Sequence, residues 1–262
     1  MSMVNQIPIF IINLDRRPDR MAAMSERLDE LPFQRVSAVD GQNLEGSKYD
    51  LQIKNYKMTL NEIACILSHK KIWQNIIDNK IPYACILEDD VYLSRSFPEF
   101  MTNTDWLPDI FDVIKIETFM QRVYFPFKKK KARNRHLRQL LSLHYGSAGY
   151  IFSRHGAEKL CEIAQQMDRP VDHLLFVKDS SNENLKVLQL IPALCIQESV
   201  ININRLPDSD IATERLRMRP RQKQKVHGMK KIWREIKRPF LQLANIIRLM
   251  KNKRVHVRVT FS

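Results

Sequence analysis

A chain of 262 residues with 44% hydrophobic content can bury one large core or two small ones, which sets aside a disordered or low-complexity protein. Its net charge of +14 sits at one end: Met1 to Ala212 holds 27 basic and 27 acidic residues, and Thr213 to Ser262 holds 16 basic and 2 acidic ones. The neutral body and the lack of a recognised module argue against a nucleic-acid binder. The four cysteines, Cys65, Cys85, Cys161 and Cys195, each lie in an apolar run and suit reduced core thiols of a cytosolic protein better than a disulfide framework or a zinc site.

In chain order, IPIFIINL (7–14) is an apolar, β-branched run that predicts a strand covered on both faces. It is short, lacks a basic leader and ends in charge, so no signal peptide is expected. No segment approaches the ~18 uninterrupted apolar residues of a transmembrane helix. DRRPDR (15–20) follows, where Pro18 suits a helix first turn and Met21, Met24, Leu28 and Leu31 have helical spacing. A short strand is expected within FQRVSAV (33–39), then a turn at Asp40-Gly41. From Thr59 to Asp78 the pattern is helical, with Thr59 as N-cap, Glu62 at the capping-box offset, and Ile63, Ile66, Leu67, Ile72, Ile76 and Ile77 on the apolar side. YACILEDDVYL (83–93) and DVIKIE (112–117) predict the second and third central strands.

This alternation predicts an α/β fold with a mostly parallel central sheet, whose ligands collect at the carboxyl ends of the strands. DRRPDR and the acids Glu88, Asp89 and Asp90 both fall there. KKKKARNRHLR (128–138) is too charged for core and reads as a mobile loop or exposed helix start. HYGSAGYIFSRHGAEKLCEIA (144–164) predicts a glycine-punctuated turn, a strand near Tyr150 to Phe152, and a helix from about Gly156.

Residues 1–212 are expected to form the main folded domain, and 213–262 a basic tail. In the tail, Met229, Ile232, Trp233, Ile236, Phe240, Leu243, Ile247 and Met250 form one helical stripe opposite lysines and arginines. A basic amphipathic helix of this kind suits an anionic membrane surface. The same stripe could instead cover the domain or a second subunit. VHVRVTF (255–261) alternates like a strand with no partner assignable from sequence.

Three adjacent carboxylates at the end of a core strand repel one another and resist leaving water, so they call for a counter-charge. Strand alternation puts Glu88 and Asp90 on one side and Asp89 on the other. Hard oxygens without a nearby Cys/His ligand set favour Mn²⁺ or Mg²⁺, ions that complete their shells with phosphate oxygens and water. A solvated acidic turn is the simpler alternative, but Val91 and Tyr92 resume the apolar pattern beyond it.

Six stretches together resemble glycosyltransferase family 25, the bacterial lipooligosaccharide galactosyltransferases and their relatives. They are IFIINLDRRPDR (9–20), VSAVDG (36–41), NEIACILSHKKIWQ (61–74), ILEDDV (86–91), GSAGYIFSRHGAEKL (146–160) and PVDHLL (170–175). They occur in the family's order and the likeness covers about Ile7 to Asn204. The resemblance implies a GT-A-like fold, inverting transfer of a hexose, most often galactose, from a UDP-sugar to a lipooligosaccharide acceptor, and dependence on Mn²⁺ or a similar ion. With the membrane-suited tail, it places the protein at the cytoplasmic face of the inner membrane.

The family's acidic metal motif falls on Glu88, Asp89 and Asp90, with Asp90 the expected direct ligand and Glu88 a ligand or water-mediated partner. Asp89 would accept a donor-sugar hydroxyl or brace the loop. The nucleotide-binding stretch falls on Asn13, Leu14, Arg16, Asp19 and Arg20. The forks of Arg16 and Arg20 suit phosphate or nucleotide, although Asp15 and Asp19 could equally match them as surface pairs. Asn13 could reach uracil or ribose. Inverting displacement also needs a base for the acceptor hydroxyl. Asp172, ahead of an apolar helical run, is the first choice, a plain N-cap being the alternative role. His173 competes, with Glu117 behind it. His69 reads as a hydrogen-bonded, partly buried histidine to which the resemblance adds a role in the site. Gly146 and Ser147 would let backbone approach a sugar, or serve an ordinary turn.

Overall fold

The computed structural model describes residues 6–45, 58–177, 184–201 and 253–262, together with Tyr49 and Tyr56. The amphipathic stripe Met229 to Met250 lies outside the described residues.

Strands β1 (Ile9–Asn13), β2 (Gln34–Ser37), β3 (Tyr83–Glu88), β5 (Val113–Lys115), β7 (Lys130–Ala132), β8 (Arg135–Gln139), β9 (Gly149–Ser153) and β10 (Val187–Ile191) form one sheet in the order β2-β1-β3-β9-β5-β10-β8-β7. β4 (Val91–Leu93) pairs with β11 (Cys195–Gln197), and β6 (Arg122–Pro126) with β12 (Arg254–Arg258).

Strand alternation divides the apolar side chains between two faces. Phe10, Ile12, Ile86 and Phe152 point toward α2 (Leu60–Asp78), α4 (Arg154–Ile163) and α5 (Val171–Phe176). Ile9, Ile11, Leu87 and Ile151 point toward α1 (Pro18–Leu28) and α3 (Phe97–Met101). A last short helix, α6 (Glu198–Ile201), follows β11. The result is a sheet covered on both sides, as the continuous apolar run of β1 requires.

The expected local signals appear in the structure. Pro18 opens α1, and Thr59 and Glu62 form the reciprocal capping box of α2. The expectation of a mostly parallel sheet holds for β2-β1-β3 and for β5-β10, but β9 runs antiparallel between β3 and β5, which makes the sheet mixed. This reversal places the start of β9 beside the ends of β1, β3 and β5, where Leu87 pairs with Gly149 and the Glu88 amide donates to the Ala148 carbonyl. One further difference concerns a charged segment. KKKKARNRHLR forms the β7-β8 hairpin, because Ala132, Arg135 and Leu137 turn inward while the lysines stay in water. VHVRVTF supplies β12, so the last residues of the chain return to the domain body.

Candidate active site

At the edge where β1, β2, β3 and β5 end and β9 begins lies a cleft of about 450 Å³, a size suited to a small organic ligand. Glu88, Asp89 and Asp90 form part of its wall, joined by Leu14, Arg20, His69, Gly146, Ser147 and Asp172. Nine of the fourteen residues singled out from the sequence therefore share one cavity.

The three acids have different surroundings. Glu88, the last residue of β3, accepts a hydrogen bond from Ser147 Oγ (3.0 Å) and stands 3.4 Å from His69 Nε2. Burial works to raise its carboxyl, but His69, Ser147 and Lys115 outweigh it and hold the group below its ordinary value. Asp89 points the other way, as alternation requires: Asn13 Nδ2 donates to its Oδ2 at 2.6 Å and Arg20 Nη1 meets its Oδ1 at 3.2 Å. Asp90 has neither kind of help. Its Oδ1 is buried without a hydrogen-bond partner, and burial together with Glu88 pushes its carboxyl up to about 7, against the pull of Arg20. An unpartnered hard oxygen beside two other carboxylates fits a divalent cation, whose charge would replace the missing partner.

Behind the cleft, Lys115 and Glu117 form a fully buried ion pair at 2.9 Å. Lys115 also donates to the Gly146 carbonyl and lies 4.2 Å above the Phe176 ring, while Glu117 accepts from the Ala148 amide at 3.0 Å. The pair fastens both ends of the Gly146–Ala148 loop. Gly146 has φ +84°, and a Cβ there would stand 2.4 Å from the Phe119 ring, so a bare glycine is needed. The loop's amide in turn meets Asp172: the Gly146 N–H donates to Oδ2 at 3.3 Å, and the His173 N–H donates to Oδ1 at 2.9 Å. Asp172 lies within α5, whose N-cap is Pro170, and its carboxylate faces the cleft.

Five of the residues singled out from the sequence lie off the cleft wall, Asp19 among them in a surface pair with Arg17 at 2.8 Å. Asn13 is buried and committed, donating to Arg17 O and Asp89 while accepting from Arg35 Nε at 2.9 Å, so it braces an acid rather than lining the cleft. Arg16 turns outward to Asp40 (2.6 Å), and Arg17 takes a place on the wall instead. His173 is off the wall, its ring 6.3 Å from that of Tyr145. Glu117 is likewise withdrawn into its pair with Lys115.

Arg17, Cys65, Tyr145, Gln197 and Ser199 line the cleft without having been foreseen. Cys65 was legible, because it stands one helical turn before His69 on α2. Gln197 and Ser199 were not, since only the β4-β11 pairing and the bond from the Glu198 amide to the Asp90 carbonyl (2.9 Å) bring them to the acids.

Residues 6–175 match the family described as Glycosyltransferase family 25 (LPS biosynthesis protein). The chain is 31% identical over 176 residues to a lacto-N-neotetraose biosynthesis glycosyltransferase, LgtE, of Neisseria meningitidis, covering 62% of this chain and 63% of that one. It is 30% identical over 208 residues to the lipooligosaccharide biosynthesis protein lex-1 of Haemophilus influenzae, covering 75% and 67%. The matches thus span about two thirds or less of these relatives. A solved glycosyltransferase involved in glycosylation of the major capsid of PBCV-1 aligns with a TM-score of 0.43 at 10% identity, over 82% of this chain and all of that one.

Proposed function

The chain belongs to glycosyltransferase family 25, and from that membership we propose that it is an inverting, GT-A-like transferase moving a hexose, galactose in the first instance, from UDP to a lipooligosaccharide-type acceptor. The observation that carries this reading is the unpartnered Asp90 oxygen within a three-acid cluster on the wall of a cleft that also presents Arg20. Such a wall suits a diphosphate accompanied by a cation.

Glu88 and Asp90 would hold Mn²⁺ or Mg²⁺, which supplies charge neutralisation of the departing diphosphate. Arg17 and Arg20 offer guanidinium groups to phosphate from the opening of α1. The Gly146–Ser147 backbone lies where a sugar could approach closely. Asp172 takes the proton of the acceptor hydroxyl as its oxygen attacks the anomeric carbon and the bond to the diphosphate breaks. The bond from the Gly146 amide orients that carboxylate, while His173 serves it through its amide rather than as a rival base.

The acceptor class has its own support on the surface. No acidic residue occurs between Glu117 and Glu158 in the sequence. On β6-β12 the exposed Arg122 lies directly opposite Arg258, and Lys128 to Lys131, just beyond the end of β6, are exposed as well. Like charges placed opposite each other weaken a ladder, so their use here favours an anionic partner. Together with the basic tail, this face suits peripheral attachment to the anionic cytoplasmic leaflet of the inner membrane, where a lipid-linked glycan would be met. Among the described residues, no helix is long and apolar enough to cross a membrane.

Calorimetric titration with UDP-galactose and UDP-glucose, each with and without Mn²⁺, tests the reading. Metal-dependent binding with a preference for the galactose donor is expected. Absence of binding to a folded protein under all four conditions would overturn it.

A further inference from the structure

On the inner wall of the cleft, Cys65 Sγ, a His69 ring nitrogen and a Glu88 carboxylate oxygen all lie within 4.8 Å of one another. Cys65 and His69 are one turn apart on the same face of α2, and Glu88 meets them from the end of β3. His69 is fully buried, and its Nε2 has no hydrogen-bond partner, while Glu88 Oε1 stands 3.4 Å away. A buried ring nitrogen left without a partner and aimed at a thiol and a carboxylate calls for a ligand.

The far side of the ring is built to support one. His69 Nδ1 is 2.7 Å from Tyr150 Oη, which accepts from Trp73 Nε1 at 2.9 Å, and the two rings stack at 5.7 Å. In the tautomer that carries its proton on Nδ1 and donates it to Tyr150, the one a bound cation would select, Nε2 presents its lone pair to the cleft. A hydrogen bond at one nitrogen that fixes the tautomer and ring orientation for metal binding at the other is the usual support of a ligating histidine. Cys65 is partly exposed and lines the cleft, which provides an entry path.

We propose that Cys65, His69 and Glu88 form a second cation site, selective for a thiophilic divalent ion of the zinc class, distinct from the hard-cation position at Asp90. Sulfur, imidazole and carboxylate donors from three residues, with the remaining position open to the cleft, match the zinc preference and disfavour Mg²⁺ and Mn²⁺. Binding converts the Cys65 thiol to thiolate and releases its proton to solvent. Glu88 is common to both sites, so a thiophilic ion would withdraw it from the diphosphate-binding cation and act as a competitive inhibitor. That consequence rests on the proposed transferase reading; the site itself does not.

The test uses the full chain with Co²⁺ as a spectroscopic stand-in for Zn²⁺, together with Zn²⁺ affinity measured against a chromophoric chelator. Wild type is expected to show near-ultraviolet thiolate-to-cobalt charge transfer that Zn²⁺ abolishes. Cys65→Ser should lose the band, and both it and His69→Gln should weaken Zn²⁺ binding by at least about tenfold. Asp90→Asn should keep the band while losing any Mn²⁺ response. Absence of the band in wild-type protein, a readout that needs no variant to fold, or equal Zn²⁺ affinity in wild type and Cys65→Ser would overturn the proposal. A cobalt-thiolate band in a protein that fails to bind UDP-sugars would leave this site standing and remove the transferase reading alone.

Discussion

Asn13 and Asp89, 76 positions apart in the sequence, meet at 2.6 Å where the parallel strands β1 and β3 end. Asn13 also accepts from Arg35 and donates to the Arg17 carbonyl, so one buried amide ties together three segments of the cleft wall. Replacing it by the similarly sized leucine removes all three bonds and leaves the buried Asp89 carboxylate without its amide partner. Asn13→Leu is expected to lower unfolding free energy by about 1 to 3 kcal/mol and to weaken donor binding, because Asp89 loses its brace. Denaturant unfolding and donor titration measure the two effects separately. A variant of unchanged stability would refute the bracing role.

Asp90 makes the cation-free fold sensitive to pH. Its folded carboxyl, raised by burial and Glu88 to about 7 from an ordinary 3.8, favours the proton more strongly than the unfolded chain does. That contribution to stability is fully present below pH 3.8 and is lost as pH rises through 7. Glu88 is shifted downward from 4.5, so its opposite contribution is lost only in the acid range. Stability without added cation should therefore fall from about pH 4 through pH 7, with Glu117, also raised to about 7, adding to the loss; it should be lower at pH 8 than at pH 6, and Mn²⁺ should protect more at pH 8, where Asp90 is ionised. Asp90→Asn is expected to melt higher than wild type at pH 8 without cation and to show no Mn²⁺ protection. Thermal unfolding at the two pH values, with and without Mn²⁺, decides the matter.

Elements written in short windows of sequence were legible before the structure, and those made by distant pairings were not. β1 announces itself by eight near-continuous apolar residues, and α2 by Thr59 and Glu62 three positions apart. The three acids stood out because charge inside a core strand is costly wherever it occurs. By contrast, the antiparallel entry of β9 depends on edges that no local pattern encodes, and it brings the Gly146–Ala148 loop to the acids. Lysines hid the β7-β8 hairpin, whose inward positions are only Ala132, Arg135 and Leu137. Arg16 and Arg17 are indistinguishable by type, and which of them faces the cleft follows from Arg17 standing as the N-cap of α1.

Gly146 tests how tightly the loop is held. At φ +84°, with the Phe119 ring and Glu117 Oε1 within 2.5 Å of where a Cβ would stand, alanine has no room and an unfavourable backbone. Gly146→Ala is expected to destabilise the fold by about 1 to 3 kcal/mol and to displace the amide that orients Asp172. Transfer should then fall further than donor affinity does. Steady-state kinetics showing wild-type kcat would dissociate the loop from the catalytic carboxylate.

Asp172 and His173 separate cleanly by substitution, because only the first faces the cleft. Asp172→Asn keeps an oxygen for the Gly146 amide but removes the capacity to take a proton. It should lower kcat by about 10²-fold to 10⁴-fold with little change in the Kd for the UDP-sugar. His173→Asn leaves the backbone amide that serves Asp172 and should stay within a few-fold of wild type. A deeper loss in the histidine variant would exchange the two assignments.

The cationic face can be tested apart from the chemistry. Lys129 and Lys131 are exposed on the β7 side of the domain and, with Arg138, hold down the pKa of His136, whose shift comes first from desolvation and then from these charges. Each basic residue near an anionic leaflet contributes on the order of 1 kcal/mol, so Lys129→Glu with Lys131→Glu should weaken binding to anionic vesicles by at least about tenfold. Zwitterionic vesicles should bind neither protein, and added salt should erase the difference between them on anionic ones. Transfer to a water-soluble acceptor should be unchanged, because neither lysine lines the cleft. Equal vesicle binding by the variant and wild type would remove this face from membrane attachment and leave that task to the basic segment beyond Ala212.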